Sequence, residues 1–279
     1  MFPAQELPSF VSHLFARLEV RKKHPSFKKR DFQDFWKCLE LTQQDIAEGY
    51  SDKMARWGVY HSETLANYLE DFAKVFSFKE LLDLLTSKEL ESETAEGFVF
   101  VDALGPGMWV RDLILDKRIR VKKGIAITLS DERSDWQKKE DEQTPFQLFP
   151  GNVFSPENVE QILQVLEKNH IDLLMCRPYA GVNNLPLSRH EPLSYLIFFQ
   201  FISVLYELTN PDGVLLFQVP AGFKRVLEQW GKKLTLENSQ MFKISLDPIN
   251  THYVVFKVVK KIETLPFLSI SELKNLLRS

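Results

Sequence analysis

The sequence predicts an α/β protein: a doubly wound, seven-stranded, mostly parallel sheet with an antiparallel final strand, behind a helical N-terminal subdomain. Three observations predict it. In residues 97–109, G-F-V-F-V-D-A-L-G-P-G-M-W, four consecutive apolar residues run into Asp102 and a Gly-Pro-Gly loop. Beyond that loop Met108, Trp109, Val110, Leu113 and Ile114 recur at helical spacing. From Gly97 onward apolar strand-like runs alternate with helical stripes, which is the rhythm of parallel strands joined by crossover helices. The last two strand-like runs, 242–246 and 252–259, are joined by Asp247-Pro248-Ile249-Asn250, a connection suited to an antiparallel pair.

Composition sets the class. The chain has 279 residues, 44% hydrophobic and 26% charged, enough for one substantial core with an added subdomain. A formal net charge of -3 gives no global attraction to polyanions, so a nucleic-acid site has to be a local patch. Cys38 and Cys176 lie far apart and suggest neither a disulfide framework nor a zinc pair. No apolar run reaches the ~18 residues of a membrane span. Pro3, Glu6 and Pro8 stand where a signal peptide needs a basic and then an apolar run. A cytoplasmic protein with no membrane partner is expected.

Taken in order, residues 1–95 read as helical. Phe10, Val11, Leu14, Phe15 and Leu18 form one apolar face, and Phe32, Phe35, Trp36 and Leu39 another. Ser62 is the expected N-cap of a helix over 63–76 with Leu65, Tyr68, Leu69 and Phe72 on one side, and Ser77 that of a helix through Leu85. Between the first two helices Arg21, Lys22, Lys23, Lys28, Lys29 and Arg30 flank Phe27 without an acid among them. Such a segment would hold phosphates and stack a base, or form a solvated loop.

The α/β domain spans 96–261, with a helical tail at 262–279. After the first strand–loop–helix unit, 124–129 is a second buried strand, 131–144 a polar loop or exposed helix, and 146–149 a third strand. Pro156 opens a helix capped by Ser155, with Val159, Ile162, Leu163 and Leu166 as its buried stripe. Residues 171–176 form a fourth strand and 192–208 a long apolar helix. Asn210-Pro211-Asp212-Gly213 is a turn before a fifth strand at 214–219, and 224–232 is helical. Ile270, Leu273, Leu276 and Leu277 mark a peripheral amphipathic helix. In such open sheets the ligand lies outside the carboxyl ends of the strands, at the switch in strand order. The glycine loop lacks the full G-x-G-x-x-G spacing of dinucleotide binders, and the concluding antiparallel pair also argues against them.

Taken together, these residues resemble the S-adenosylmethionine-dependent methyltransferases of the Rossmann-like class over roughly residues 97–260, in their FtsJ-type RNA 2′-O-methyltransferase flavour. Asp102-Ala103-Leu104-Gly105-Pro106-Gly107-Met108-Trp109 is one residue shorter than the family's D-L-G-x-x-P-G-G-W. Gly151-Asn152-Val153-Phe154-Ser155-Pro156-Glu157 follows G-D-V-x-x-P-E with Asn for Asp, and Asn210-Pro211-Asp212-Gly213 is similar to its K-P-G-G turn. The resemblance implies S-adenosyl-L-methionine as cofactor. It would be held by Asp102, Leu104, Gly105, Pro106, Gly107, Trp109, Thr128, Asp131, Asn152, Val153 and Cys176. Asp102 would order the loop or take the cofactor's ammonium, and the two glycines would leave room for its methionine moiety. Asp131 or Glu132 would meet the ribose, and Asn152 the adenine edge.

The family's Lys-Asp-Lys-Glu catalytic set is not retained. Arg177 stands at the Asp position, Gln218 at the central Lys and His252 near the Glu, while Lys53 and Lys74 are merely near the first Lys. Arg177, Tyr179 and His252 are therefore the candidates for acting on or positioning an acceptor. Two functions remain: a methyltransferase whose acceptor is RNA gripped by the basic segment, or a methyltransferase-fold scaffold without turnover. A nucleotide-dependent enzyme is the third and weaker reading.

Overall fold

The computed structural model describes residues 64–89, 97–103, 105, 107–116, 119–128, 131, 133–150, 156–177 and 192–278. The helices expected on residues 10–18 and 32–39, the basic segment 21–30, Ser62 and Ser155 lie outside the described residues.

The order is α1 (Leu65–Phe72), α2 (Phe78–Glu89), β1 (Phe98–Ala103), α3 (Met108–Leu115), β2 (Val121–Thr128), α4 (Asp135–Asp141), β3 (Phe146–Pro150) and α5 (Pro156–Lys168). It continues with β4 (Ile171–Cys176), α6 (Pro192–Glu207), β5 (Thr209–Pro220), α7 (Lys224–Glu237), β6 (Phe242–Leu246), β7 (Tyr253–Val259) and α8 (Ile270–Arg278). The strands form one seven-stranded sheet in the order β3-β2-β1-β4-β5-β7-β6. β7 runs antiparallel to both its neighbours, β5 and β6, and the other pairs are parallel. That connectivity is the Rossmann-like methyltransferase fold, and the switch in strand order falls between β1 and β4.

Side chains alternate across the sheet and divide the core in two. Phe98 and Phe100 of β1 join Leu173, Met175, Val214 and Leu216 under α1, α2 and α3, where Tyr68, Phe72, Leu81, Trp109 and Val110 cover them. Val101, Ala103, Leu174, Cys176, Leu215 and Phe217 face the other side, against Leu163, Phe198, Phe199, Trp230 and Leu273 from the helices α5 to α8. Both layers are continuous with the sheet, so α1, α2 and α8 complete its core.

Local chemistry sets the element ends. α1 follows Thr64, whose N–H is accepted by the Asn67 side-chain oxygen at 2.9 Å, and it ends at Phe72, short of the expected Phe76. Ser77 and Glu80 form a reciprocal cap for α2, with Glu80 N–H donating to Ser77 Oγ at 3.2 Å and Ser77 N–H to Glu80 Oε2 at 2.7 Å. That helix runs on to Glu89, past Leu85. The expected polar stretch after β2 contains α4, capped by Ser134 with Gln137 N–H on its Oγ at 3.3 Å. Asn210-Pro211-Asp212-Gly213 does not precede β5 but lies inside it, where Asp212 at φ 62 distorts the strand without ending it. The matching breaks in the ladder, at Phe98/Val99 and Ile171/Leu173, are bridged by the buried Asp172, which accepts from Val99 N–H at 2.8 Å and from Asn210 Nδ2 at 2.7 Å.

Candidate functional site

At the tip of β1 the alternation turns Asp102 toward the α1 face, and it is fully buried there. Its Oδ2 accepts the Gly107 N–H at 2.7 Å, and the Tyr68 hydroxyl approaches Oδ1 at 3.3 Å. A carboxylate taking a backbone N–H is a strong, charge-assisted acceptor, so Asp102 fastens the loop end that starts α3. Both loop glycines are demanded by the protein's own packing. A Cβ on Gly105 would run into the Asp102 carboxylate, and one on Gly107 would stand 2.6 Å from Ala126 Cβ and Phe146 Cζ. Gly107 also sits at φ +78, the left-handed region where a Cβ strains the backbone. Trp109, on the first turn of α3, is fully buried between Tyr68 and Phe100, at ring-centroid distances of 6.1 and 6.2 Å. Its indole N–H is buried with no acceptor among the described residues.

The tips of β4 and β5 are closed by internal pairs. Arg177, one residue beyond β4, is buried against an ion pair with Asp71 of α1, and its guanidinium lies 4.8 Å from the centre of the Tyr68 ring. Tyr68 and Asp71 are three apart on one helix, so both reach the same spot on the sheet. Gln218 of β5 is buried and donates its amide to Asp247, whose other oxygen accepts the N–H groups of Ile249 and Asn250 at 2.8 and 2.9 Å. Gln218 thereby anchors the β6–β7 turn. His252 belongs to that turn, not to β7, and is exposed; its carbonyl accepts Ala221 N–H at 2.8 Å. Cys176 is fully buried on the opposite face, which leaves its backbone, not its thiol, near the edge.

The tip of β2 differs. Thr128 is its last residue and is buried. Three residues on, Asp131 is gripped by Arg133: Oδ1 accepts the Arg133 N–H at 3.2 Å and Nε at 2.8 Å, and Oδ2 accepts Nη2 at 2.8 Å. The Arg133 contact holds the Asp131 carboxyl below its ordinary range in spite of partial burial. The other arm of Arg133 reaches Asp141 Oδ2 at 2.7 Å, while Asp141 Oδ1 takes Arg111 Nε from α3 at 2.9 Å. Arg133 also lies 6.0 Å above the ring of Phe146, the ring that touches Gly107. Asp131 is thus tied to the glycine loop through two routes.

Of the residues singled out in sequence, Asp102, Gly105, Gly107, Trp109, Thr128, Asp131, Cys176 and Arg177 gather at the carboxyl ends of β1, β2 and β4, and His252 at the neighbouring edge. Leu104, Pro106, Glu132, Asn152, Val153 and Tyr179 lie outside the described residues. Sequence reasoning missed Asp71, Arg111, Arg133 and Asp141, and read Tyr68 as apolar filling. One signal was available: an acid three residues after Tyr68 on the stripe that faces the core.

No protein-family model matches the chain, and no curated relative matches it. Among solved structures it is similar to an rRNA methylase from Streptococcus thermophilus, at 14% identity over 64% of this chain and 93% of that one, with a TM-score of 0.39. An S-adenosylmethionine-dependent methyltransferase from Clostridium acetobutylicum is similar at 13% identity over 79% and 99%, with a TM-score of 0.41. A Methanococcus jannaschii fibrillarin pre-rRNA processing protein is similar at 14% identity over 65% and 75%, with a TM-score of 0.32. What fixes the fold is the strand order itself.

Proposed function

We propose that this chain binds S-adenosylmethionine across the tips of β1 and β2 and transfers its methyl group to an RNA acceptor. The observation that carries the cofactor part is the glycine loop fastened by Asp102 at the switch between β1 and β4, in a sheet with one antiparallel strand. The cofactor supplies an electrophilic methyl on a sulfonium. The residues present fit it: Asp131 is ionised, partly exposed and placed after β2 for the ribose, and the Trp109 indole is a buried donor beside the loop with no acceptor among the described residues. Gly105 and Gly107 keep the loop tight, with Leu104 and Pro106 between and beside them. Thr128 and the Cys176 backbone would line the cofactor at the strand ends, and Asn152 and Val153 would meet its adenine edge.

Methyl transfer is an in-line displacement that rests mainly on placing the acceptor atom. Arg177 is a permanent cation and Gln218 a neutral amide, so neither takes a proton from a hydroxyl. Positioning by Arg177 and Tyr179 is left, together with His252, whose exposed imidazole at the edge has a nitrogen able to accept a proton. The RNA acceptor rests on the motif resemblance and on the basic segment from Arg21 to Arg30. A scaffold without turnover is the second reading, favoured by the inward pairing of Arg177 with Asp71 and Gln218 with Asp247.

A thermal-shift titration with S-adenosylmethionine and S-adenosylhomocysteine tests the cofactor. Ligand at ~100 times its dissociation constant adds ~2.7 kcal/mol, which is read as a clear rise in Tm. No shift at millimolar ligand sinks the proposal. Radiolabelled methyl transfer to total RNA then separates enzyme from scaffold. Lys22/Lys23/Lys28/Lys29→Ala should weaken RNA binding and flatten its salt dependence; unchanged affinity removes the basic segment from the interface.

A further inference from the structure

The Asp131 carboxylate offers about four lone-pair sites, and three are already taken. Two N–H groups of Arg133 fill Oδ1, and a third occupies one site of Oδ2. The side chain is 24% exposed, and no other group among the described residues takes the remaining Oδ2 site. Arg133 in turn cannot swing away cheaply. Its Nη1 is bound to Asp141, which is buried and locked on its other oxygen by Arg111.

Resting on the cofactor reading above, we propose that Asp131 accepts a hydrogen bond from only one of the two ribose hydroxyls of the adenosyl group, and that Arg133 is the positioning residue that imposes this. A free carboxylate would take a vicinal diol through both oxygens. Here Oδ1 is closed by the Arg133 backbone and side chain together, so the second hydroxyl finds no acceptor on this residue. The chain of contacts Asp131–Arg133–Asp141–Arg111 passes from the β2 tip to α3, and Phe146 lies between Arg133 and the Gly107 loop. Arg133 therefore sets the position of Asp131 relative to the loop that would cup the methionine moiety.

The test is calorimetric titration of the full chain with S-adenosylhomocysteine and its 2′-deoxy, 3′-deoxy and 2′,3′-dideoxy analogues. One singly deoxygenated analogue should bind within ~threefold of the parent. The other should weaken ~tenfold or more, as for a lost hydrogen bond to a charged group, and the dideoxy compound should match it. Weakening by both single deletions, with a larger loss for the dideoxy compound, means two hydroxyls on the carboxylate and overturns the proposal. Equal binding by all four compounds overturns it as well, since Asp131 then meets no hydroxyl. If the parent compound itself does not bind, the cofactor reading falls and takes this inference with it. Arg133→Met frees an Oδ1 site, so both singly deoxygenated analogues should then weaken relative to the parent, whereas a merely structural Arg133 would lower Tm and leave the one-hydroxyl pattern intact. Should that variant fail to fold, the wild-type series decides the matter.

Discussion

The two halves of the carboxyl edge use their buried polar groups in opposite ways. On the β1–β2 side, Asp102 fastens the loop that starts α3, and the partly exposed Asp131 keeps one Oδ2 acceptor site untaken among the described residues. On the β4–β5 side, Arg177 and Gln218 turn inward to Asp71 and Asp247. Loop and anchored acid on one side are the parts that the proposed cofactor site would use. Ion pair and amide–carboxylate pair on the other stitch α1 and the β6–β7 turn to the sheet.

Breaking the β4–β5 side tests the contrast most strongly. Arg177→Met removes the cation from a buried ion pair with Asp71 and should destabilise by about 4 kcal/mol, while Arg177→Met combined with Asp71→Leu should recover most of it. Urea unfolding of the single and double variants checks this; a double variant no better than the single would show that the two do not act as a pair. On the other side, Gly107→Ala meets Ala126 and Phe146 from a left-handed backbone and should lose about 3 kcal/mol, read by the same denaturation series. A near-neutral result would mean that the loop relaxes and that its tightness is not imposed by packing. Gln218→Met, nearly isosteric, removes one buried partner of Asp247 and should destabilise by about 2 kcal/mol with cofactor affinity unchanged. Loss of cofactor binding in that variant would place the β5 tip inside the ligand site and erase the distinction between the halves.

The smallest effect lies away from both. Burial works against ionisation of Glu80, but its contacts with Lys257 and Ser77 win and hold its carboxyl below 4.5. A depressed carboxyl contributes stability that is complete above the unfolded value and is lost as pH falls through the folded one. Glu80→Gln should therefore reduce stability at pH 7 slightly and flatten its decline below about pH 4.5. Parallel acid titrations of variant and wild type would refute the assignment by superimposing after a constant offset.

Much of the sheet was legible because buried parallel strands announce themselves. The runs at Phe98 and Ile171 are apolar but for Asp102 and Asp172, and Pro156 and Ser77 mark helix starts by chemistry confined to one turn. Asn210-Pro211-Asp212-Gly213 misled for the same local reason. Its residues favour a turn in isolation, yet Asp172 reaches across from β4 to Asn210 and the extended path continues. In the site, Asp102 and the loop glycines could be named from their spacing. Their reasons could not: that Gly107 faces Ala126 and Phe146 depends on strands 19 and 39 residues later in the chain.

By itself the sequence determined the alternation of strands and helices, the loop after β1 and the charge types gathered at the strand ends, since these follow from periodicity and from residues a few positions apart. Tertiary structure alone decided which charges are used up. Asp71 and Arg177 are over a hundred residues apart, and Arg111 meets Asp141, the partner of Arg133, only because folding brings α3 to the end of α4. Whether a carboxylate is a ligand or a rivet depends on the partner that folding brings to it, and no local pattern encodes that partner.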